Sequence, residues 1–197
     1  MENPLINFLA LGAIVIYGGI PPILIFIHRT IGFWRRLGTK SYYVFVFMFG
    51  LFYLGIFLVV LEYQNTLLGW RIYDNSLALV GLVPLVVGIA LGVQSIRTLS
   101  FKTLVGMPEI DTARSPSTLV ESGIYHYIRH PRYLEFILES IGIAILSGLL
   151  VSFIFAAYLI VGLFLVTRFE EEELVLRFGT KYEFYRKHTG RFFPKTN

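Results

Sequence analysis

The chain has 197 residues, of which 55% are hydrophobic and only 15% are charged, whereas ordinary soluble domains have about 45–50% and about 25%. With a mean hydropathy of +0.68, this composition excludes a typical soluble domain and indicates a lipid environment. The net charge of +4 is better explained by basic loops beside anionic lipid headgroups than by nucleic-acid binding, and the absence of cysteine excludes disulfides, thiolate metal sites and a cysteine nucleophile.

Three segments are apolar enough and long enough to cross a bilayer, which takes about 20 helical residues: Leu5–Ile27, Tyr42–Leu61 and Leu77–Ile96. The N-terminus lacks the basic region and cleavage site of a signal peptide, so the first segment is expected to be a permanent span. Its Gly18-Gly19-Ile20-Pro21-Pro22 run removes two backbone donors and predicts a kink, whose freed carbonyls neighbouring helices can satisfy.

The stretch Tyr133–Thr167 is too long for one span and leaves almost no loop between two. Ser147-Gly148 is its natural break, which predicts a tight helical hairpin of about 15 and then about 18 residues. A polar linker at Pro108–Ser117 is expected to be a loop, and the last helix is expected to extend to Arg177-Phe178-Gly179.

The sequence therefore predicts an all-α integral membrane protein with five transmembrane helices in a single domain. Residues 1–96 form three N-terminal spans, and residues 97–197 form a cofactor loop, the span 4–5 hairpin and a C-terminal tail, which together are the catalytic half. All but one of the 17 Lys and Arg, the exception being Arg71, then lie on one side of the bilayer. The positive-inside rule makes that side cytoplasmic, with the N-terminus outside and the C-terminus inside.

The densest polar cluster lies at the mouth of span 4, in Ser122–Tyr133, and combines a glycine, three tyrosines, two histidines and two arginines. Pro131 suits the first turn of a helix. The free N–H groups and partial positive charge of that helix end could bind an anion such as a carboxylate. The alternative is an aromatic and basic belt at the membrane surface, which is common in membrane proteins.

A second cluster, Arg168-Phe169-Glu170-Glu171-Glu172-Glu173, ends span 5. Four consecutive acids spread around a helix, so some must face the hairpin, although a solvated acidic turn is the alternative. Within span 4, Glu135 is expected to pair with Arg132 or Arg129. Glu139 lies deeper and could contact a substrate headgroup or be neutralised by burial.

The histidines do not predict a metal site. His28 and His188 are isolated and are expected to be interfacial. His126 and His130 are four residues apart, but Pro131 makes a continuous helix through both unfavourable, so no metal is expected.

Four motifs in the C-terminal half, taken in order, make a specific set. They are Thr118–Tyr125, Arg129-His130-Pro131-Arg132-Tyr133, Glu170-Glu171 and Phe178–Tyr185, the last with the pattern Phe-Gly-x-x-Tyr-x-x-Tyr. The chain from about Phe101 to Pro194 thereby resembles the isoprenylcysteine carboxyl methyltransferase family and its prokaryotic and phospholipid methyltransferase relatives.

The resemblance implies a multi-pass membrane methyltransferase that uses S-adenosylmethionine, forms S-adenosylhomocysteine and acts at the cytoplasmic face on a lipophilic or prenylated substrate from the bilayer. It implies cofactor binding by Thr118, Leu119, Val120, Tyr125, His130, Pro131, Arg132, Tyr133 and Glu170. Arg168, Glu171 and Arg129 are the candidate catalytic residues, and Glu139 is a candidate substrate contact.

Several functions stay open on the sequence. Carboxyl O-methylation of an isoprenylcysteine-like substrate is preferred, because a carboxylate is already ionised at neutral pH and needs an aimed cation rather than a base. Phospholipid amine N-methylation would need a base such as Glu139 or Glu171. More distant alternatives are an NADPH-dependent membrane reductase and a non-enzymatic transporter or scaffold.

Overall fold

The computed structural model describes residues 3–38, 40–73, 77–99 and 118–195, and these ranges are helical apart from short connections. The predicted loop at Pro108–Ser117 lies outside them. The α-helices are α1 (Pro4–Gly18), α2 (Ile20–Arg29), α3 (Ile31–Leu37), α4 (Lys40–Gly69), α5 (Ala78–Thr98), α6 (Pro131–Ser147), α7 (Leu150–Phe178) and α8 (Thr180–His188), with a short 3-10 helix at Gly123–His126.

Four helical segments are long and apolar enough to cross a membrane, namely Pro4–Arg29, Lys40–Gly69, Ala78–Thr98 and Leu150–Phe178. Three of them coincide with the three predicted N-terminal spans, and the fourth is the second arm of the predicted hairpin. Helix α6 has 17 residues, so at 1.5 Å per residue it is about 26 Å long, less than the ~30 Å hydrocarbon core.

The first span bends at the predicted position. Helix α1 ends at Gly18, and α2 starts at Ile20 with proline in its first turn. Pro22 has no N–H to give to the carbonyl of Gly18, and the hydroxyl of Tyr158 on α7 donates to that carbonyl instead, at 2.7 Å. The kink is therefore stabilised by a neighbouring helix, which is how membrane helices tolerate proline.

The hairpin between α6 and α7 turns where the sequence predicts, at Ser147-Gly148. Gly148 adopts the left-handed conformation, with φ 64°. The segment after α4 holds the turn: the N–H of Ile72 donates to the carbonyl of Gly148 at 2.8 Å. The guanidinium of Arg71 donates to the carbonyl of Ser147 at 2.8 Å and to the side chain of Asn7 at 2.6 Å. Arg71, the exception in the charge pattern, thus has a structural role.

Helices α5 and α6 pack at very short range. A Cβ atom on Gly81 would lie 2.7 Å from the carbonyl oxygen of Gly142, and one on Gly88 would lie 2.8 Å from the Cγ of Glu139. Small residues allow such close approach of membrane helices. Gly81 lies against Gly142 and Gly92 against Glu135, so α5 and α6 run antiparallel, and the segment that follows α5 lies at the same end of the bundle as the motif that begins α6.

Candidate active site

A cavity of about 500 Å³ opens at the end of the bundle where α6 begins and α7 ends, and its size is typical of a small-molecule site. One wall is apolar and consists of Ile20, Ile23, Leu24 and Ile27 from α2 and Phe45, Phe49 and Tyr53 from α4. The polar part of the lining, which we call the polar wall, comes from the segment before α6, from α6 itself and from the end of α7.

The polar wall contains eight of the nine residues that the sequence assigned to a cofactor. They are Thr118, Leu119, Val120, Tyr125, His130, Arg132, Tyr133 and Glu170. The ninth, Pro131, is buried as the first residue of α6, and His130 is the N-cap of that helix. The structure therefore brings together residues that are up to 52 positions apart in the sequence.

The C-terminal tail fixes the loop that precedes α6. The N–H groups of Arg129 and His130 donate to the carbonyls of Gly190 and Arg191, at 2.8 and 3.1 Å. The hydroxyl of Tyr185 on α8 donates to the carbonyl of Tyr125. These bonds hold Tyr125 and His130 in place against the cavity and explain why the Phe-Gly-x-x-Tyr-x-x-Tyr tail accompanies the other motifs.

Glu171 is the centre of a buried ionic network behind the cavity. Its carboxylate accepts hydrogen bonds from Arg129 at 2.7 and 3.1 Å and from Arg191 at 2.9 Å, and it lies 3.1 Å from Nε2 of His130. Arg129 also donates to the carbonyls of Arg186, at 3.2 Å, and of Thr189. Glu171 does not line the cavity, so its contacts join α7, the pre-α6 loop and the tail.

His130 lies between two carboxylates. Its Nδ1 is 3.4 Å from Glu170, and its Nε2 faces Glu171. Burial by itself would lower the pKa of His130, but the two carboxylates outweigh it and raise that pKa above its usual value. The ring of His130 also stacks on Tyr133, with 5.6 Å between centroids. The contact of His130 with Glu170 therefore holds this carboxylate at the cavity wall.

Two comparisons with known proteins show what the segment that forms this site is similar to. The profile of the isoprenylcysteine carboxyl methyltransferase family matches residues 82–177. A protein-S-isoprenylcysteine O-methyltransferase of Schizosaccharomyces pombe is 42% identical over 78 residues. Residues 82–177, just under half of the chain, are thus similar to this methyltransferase family. The alignment covers 39% of this chain and 33% of the yeast relative, and no solved structure gives a significant match.

The family match starts inside α5 and ends at the last turn of α7. It contains the whole predicted cofactor set and the α6–α7 hairpin. The apolar wall from α2 and α4 lies outside the matched residues. The C-terminal tail, which is hydrogen-bonded to the loop before α6, also lies outside them. The cavity is therefore built jointly from the segment that matches the family model and from segments on either side of it.

Three of the sequence-assigned residues lie away from the cavity surface. Arg168 is exposed, and its guanidinium lies over the ring of Phe164, 5.1 Å from the centroid. Glu139 is buried and accepts a hydrogen bond from the hydroxyl of Tyr17. Glu171 is enclosed in its ionic network, whereas Arg129, the remaining catalytic candidate, does contribute to the lining. The predicted ion pair of Glu135 with Arg132 is present, at 2.7 Å.

Sequence reasoning assigned no role to several residues that line the cavity, among them His28, Arg177, Tyr182 and Tyr185. The two tyrosines belong to the recognised tail motif, and burial raises the pKa of both. Arg177 lies 3.6 Å from Glu173. The sequence did contain a signal for His28, because apolar residues recur every three or four positions along α2 and His28 continues that spacing on the same helical face.

Proposed function

We propose that this chain is an S-adenosylmethionine-dependent membrane methyltransferase that methylates the carboxylate of a lipophilic, isoprenylcysteine-like substrate. The observation that carries the proposal is the cavity with one polar wall from the family segment and one apolar wall from α2 and α4. A hydrophilic cofactor and a lipid-tailed acceptor together need a polar and an apolar wall in one cavity.

The polar wall fits the chemical groups of S-adenosylmethionine. Glu170 offers a carboxylate whose Oε2 is buried and makes no full hydrogen bond to the side chains that the structure describes, which suits an ammonium group. The start of α6 offers a positive helix end for a carboxylate, and Tyr125 and Tyr133 offer aromatic rings. The cofactor, when bound, supplies an electrophilic methyl group carried on a sulfonium.

The work of the protein is positioning and exclusion of water, which lower the barrier of a displacement that needs little covalent help. A carboxylate acceptor is ionised at neutral pH, so cations in the wall can orient it without removing a proton. Arg129, Arg132 and Arg177 line the cavity. Arg129 is bound to Glu171 and Arg132 to Glu135, so both are held rigidly where an anion would meet them.

We place the site at the cytoplasmic face of a five-span protein with its N-terminus outside. Two contacts support this arrangement. They bring the basic segment between the first and second spans, which carries Arg29 and Arg35, to the end of the bundle that holds the cavity. Arg35 forms an ion pair with Glu173, and the guanidinium of Arg29 lies 5.4 Å from the ring centroid of Phe169. In this arrangement α6 crosses the bilayer as a short span beside α5.

The test is methyl transfer by the purified full chain, with a tritiated methyl donor and either farnesylcysteine or an aminophospholipid as acceptor. The proposal expects label in the farnesylcysteine ester. Label only in the phospholipid would establish N-methylation instead, and transfer to neither would refute the methyltransferase. Thermal stabilisation by S-adenosylhomocysteine but not by NADPH is expected independently of the acceptor.

A further inference from the structure

Helix α2 presents one continuous stripe to the cavity. Ile20, Ile23, Leu24, Ile27 and His28 all line it, at spacings of three, four, seven and eight residues from the first, which lie on one helical face. Four of the five are aliphatic. His28, at the end of the stripe and in the last turn of the helix, is its one polar member.

His28 is buried, and a buried histidine normally has hydrogen-bond partners for its ring nitrogens. It is 7% exposed, and its Nδ1 is buried without a hydrogen bond to any side chain or backbone group in the described ranges. A buried polar atom without a partner is costly, and because the residue that carries it lines the cavity, a ligand bound there could supply the missing partner. The segment carrying His28 lies outside the family match at residues 82–177, and no motif includes it.

The position of His28 indicates which ligand it meets. The aliphatic part of the α2 stripe leads away from it along the apolar wall. Glu170 lines the same cavity, and His130 lies beside it at 3.4 Å. His28 therefore ends the apolar stripe inside the cavity that Glu170 also lines, where the headgroup of a lipid-tailed acceptor would lie beside the cofactor.

We propose that Nδ1 of His28 donates a hydrogen bond to the carboxylate of the methyl acceptor and so selects lipid-tailed acids that place this group beside Glu170. This inference rests on the proposed function and deepens it, because it names a contact to the acceptor rather than to the cofactor.

The test compares His28→Ala and His28→Gln with the wild type, using the full chain in detergent micelles. His188→Ala is the matched control, since His188 is exposed on α8 and lies outside the cavity lining. Steady-state methyl transfer to farnesylcysteine gives KM and kcat. Thermal shifts with S-adenosylhomocysteine and with farnesylcysteine measure the binding of each ligand without turnover.

The inference expects His28→Ala to raise the KM for farnesylcysteine about tenfold, the effect of one hydrogen bond to a charged group. It also expects a smaller change in kcat, an unchanged response to S-adenosylhomocysteine and partial rescue by His28→Gln, whose amide can donate. An unchanged KM in His28→Ala overturns it. An equal loss of S-adenosylhomocysteine binding also overturns it, by assigning His28 to the cofactor or to folding.

Two outcomes separate this inference from the proposed function. If the wild type methylates only aminophospholipid, or neither acceptor, the proposed function fails. The His28 contact is then decided by farnesylcysteine binding alone, and it is refuted if His28→Ala is stabilised as much as the wild type. In a second outcome the wild type is active, His28→Gln does not restore the KM lost in His28→Ala, and kcat/KM of the His28 variants no longer depends on pH. His28 then acts as a base, and the carboxylate contact is refuted.

Discussion

Replacing Glu171 by glutamine should destabilise the fold much more than the same change one residue later. Glu171 is 4% exposed and neutralises Arg129, whose side chain is 6% exposed. Removing one partner of a buried ion pair leaves the other charge uncompensated and costs about 3–5 kcal/mol. Arg191 is more exposed, at 28%, and can turn to solvent, so we expect a cost near 3 kcal/mol, the lower end of that range.

For a chain of this length, 1 kcal/mol corresponds to about 2–4 °C in Tm, so Glu171→Gln should melt roughly 6–12 °C below the wild type. The assay is thermal unfolding of the purified protein in detergent, followed by tryptophan fluorescence. Glu172→Gln is the control, because it removes the same charge from an exposed neighbour. If both variants melt within about 2 °C of each other, a tolerance smaller than the predicted shift, Glu171 does not hold the pre-α6 loop and the tail together.

Three further predictions concern the cavity and the helix contact behind it. Glu170→Gln should weaken S-adenosylhomocysteine binding about tenfold or more, since it removes a charge-assisted contact, while Glu172→Gln should not; equal affinities would count against the cofactor assignment. The raised pKa of His130 contributes stability that is complete below about pH 6.5 and is lost as pH rises through the folded-state pKa. As pH rises from about 6.5 to the folded-state pKa, the Tm of the wild type should therefore fall more than the Tm of His130→Asn. If the Tm of both proteins changes equally with pH, His130 does not supply this pH-dependent stability. Gly81→Ala should cost about 1–3 kcal/mol by forcing α5 away from α6, whereas Gly55→Ala, with open space around it, should be neutral or stabilising in the same melting assay.

Local features of the fold could be predicted because they depend on residues close together in the sequence. Pro131 starts α6 because its fixed φ and missing donor suit the first turn of a helix. Gly148 ends it because glycine accepts the left-handed conformation that the turn needs. Four of the predicted spans were visible as continuous apolar runs. Helix α7 ends at Phe178 before Gly179, as predicted, whereas α4 extends beyond its predicted end at Leu61 to Gly69.

The pairing of buried charges could not be predicted in the same way. The hydroxyl of Tyr17 reaches Glu139 from 122 residues away, and no local pattern specifies such a contact. Glu171 is bound by Arg129 and Arg191, whereas the neighbouring Arg168 lies on the outer face of α7. Consecutive residues on a helix point about 100° apart, so proximity in sequence is a poor guide to shared direction.

The sequence by itself determined that the chain is a helical protein with apolar spans, that its C-terminal half carries the motifs of one methyltransferase family, and that these motifs cluster at one end of the spans. Only the tertiary structure decided which of the four glutamates Glu170–Glu173 faces the cavity, which one anchors the tail, and that α2 contributes His28 to the wall. The reason is that an apolar run and a motif are properties of neighbouring residues, whereas a cavity is defined by the rotation and crossing of helices that are far apart in the chain.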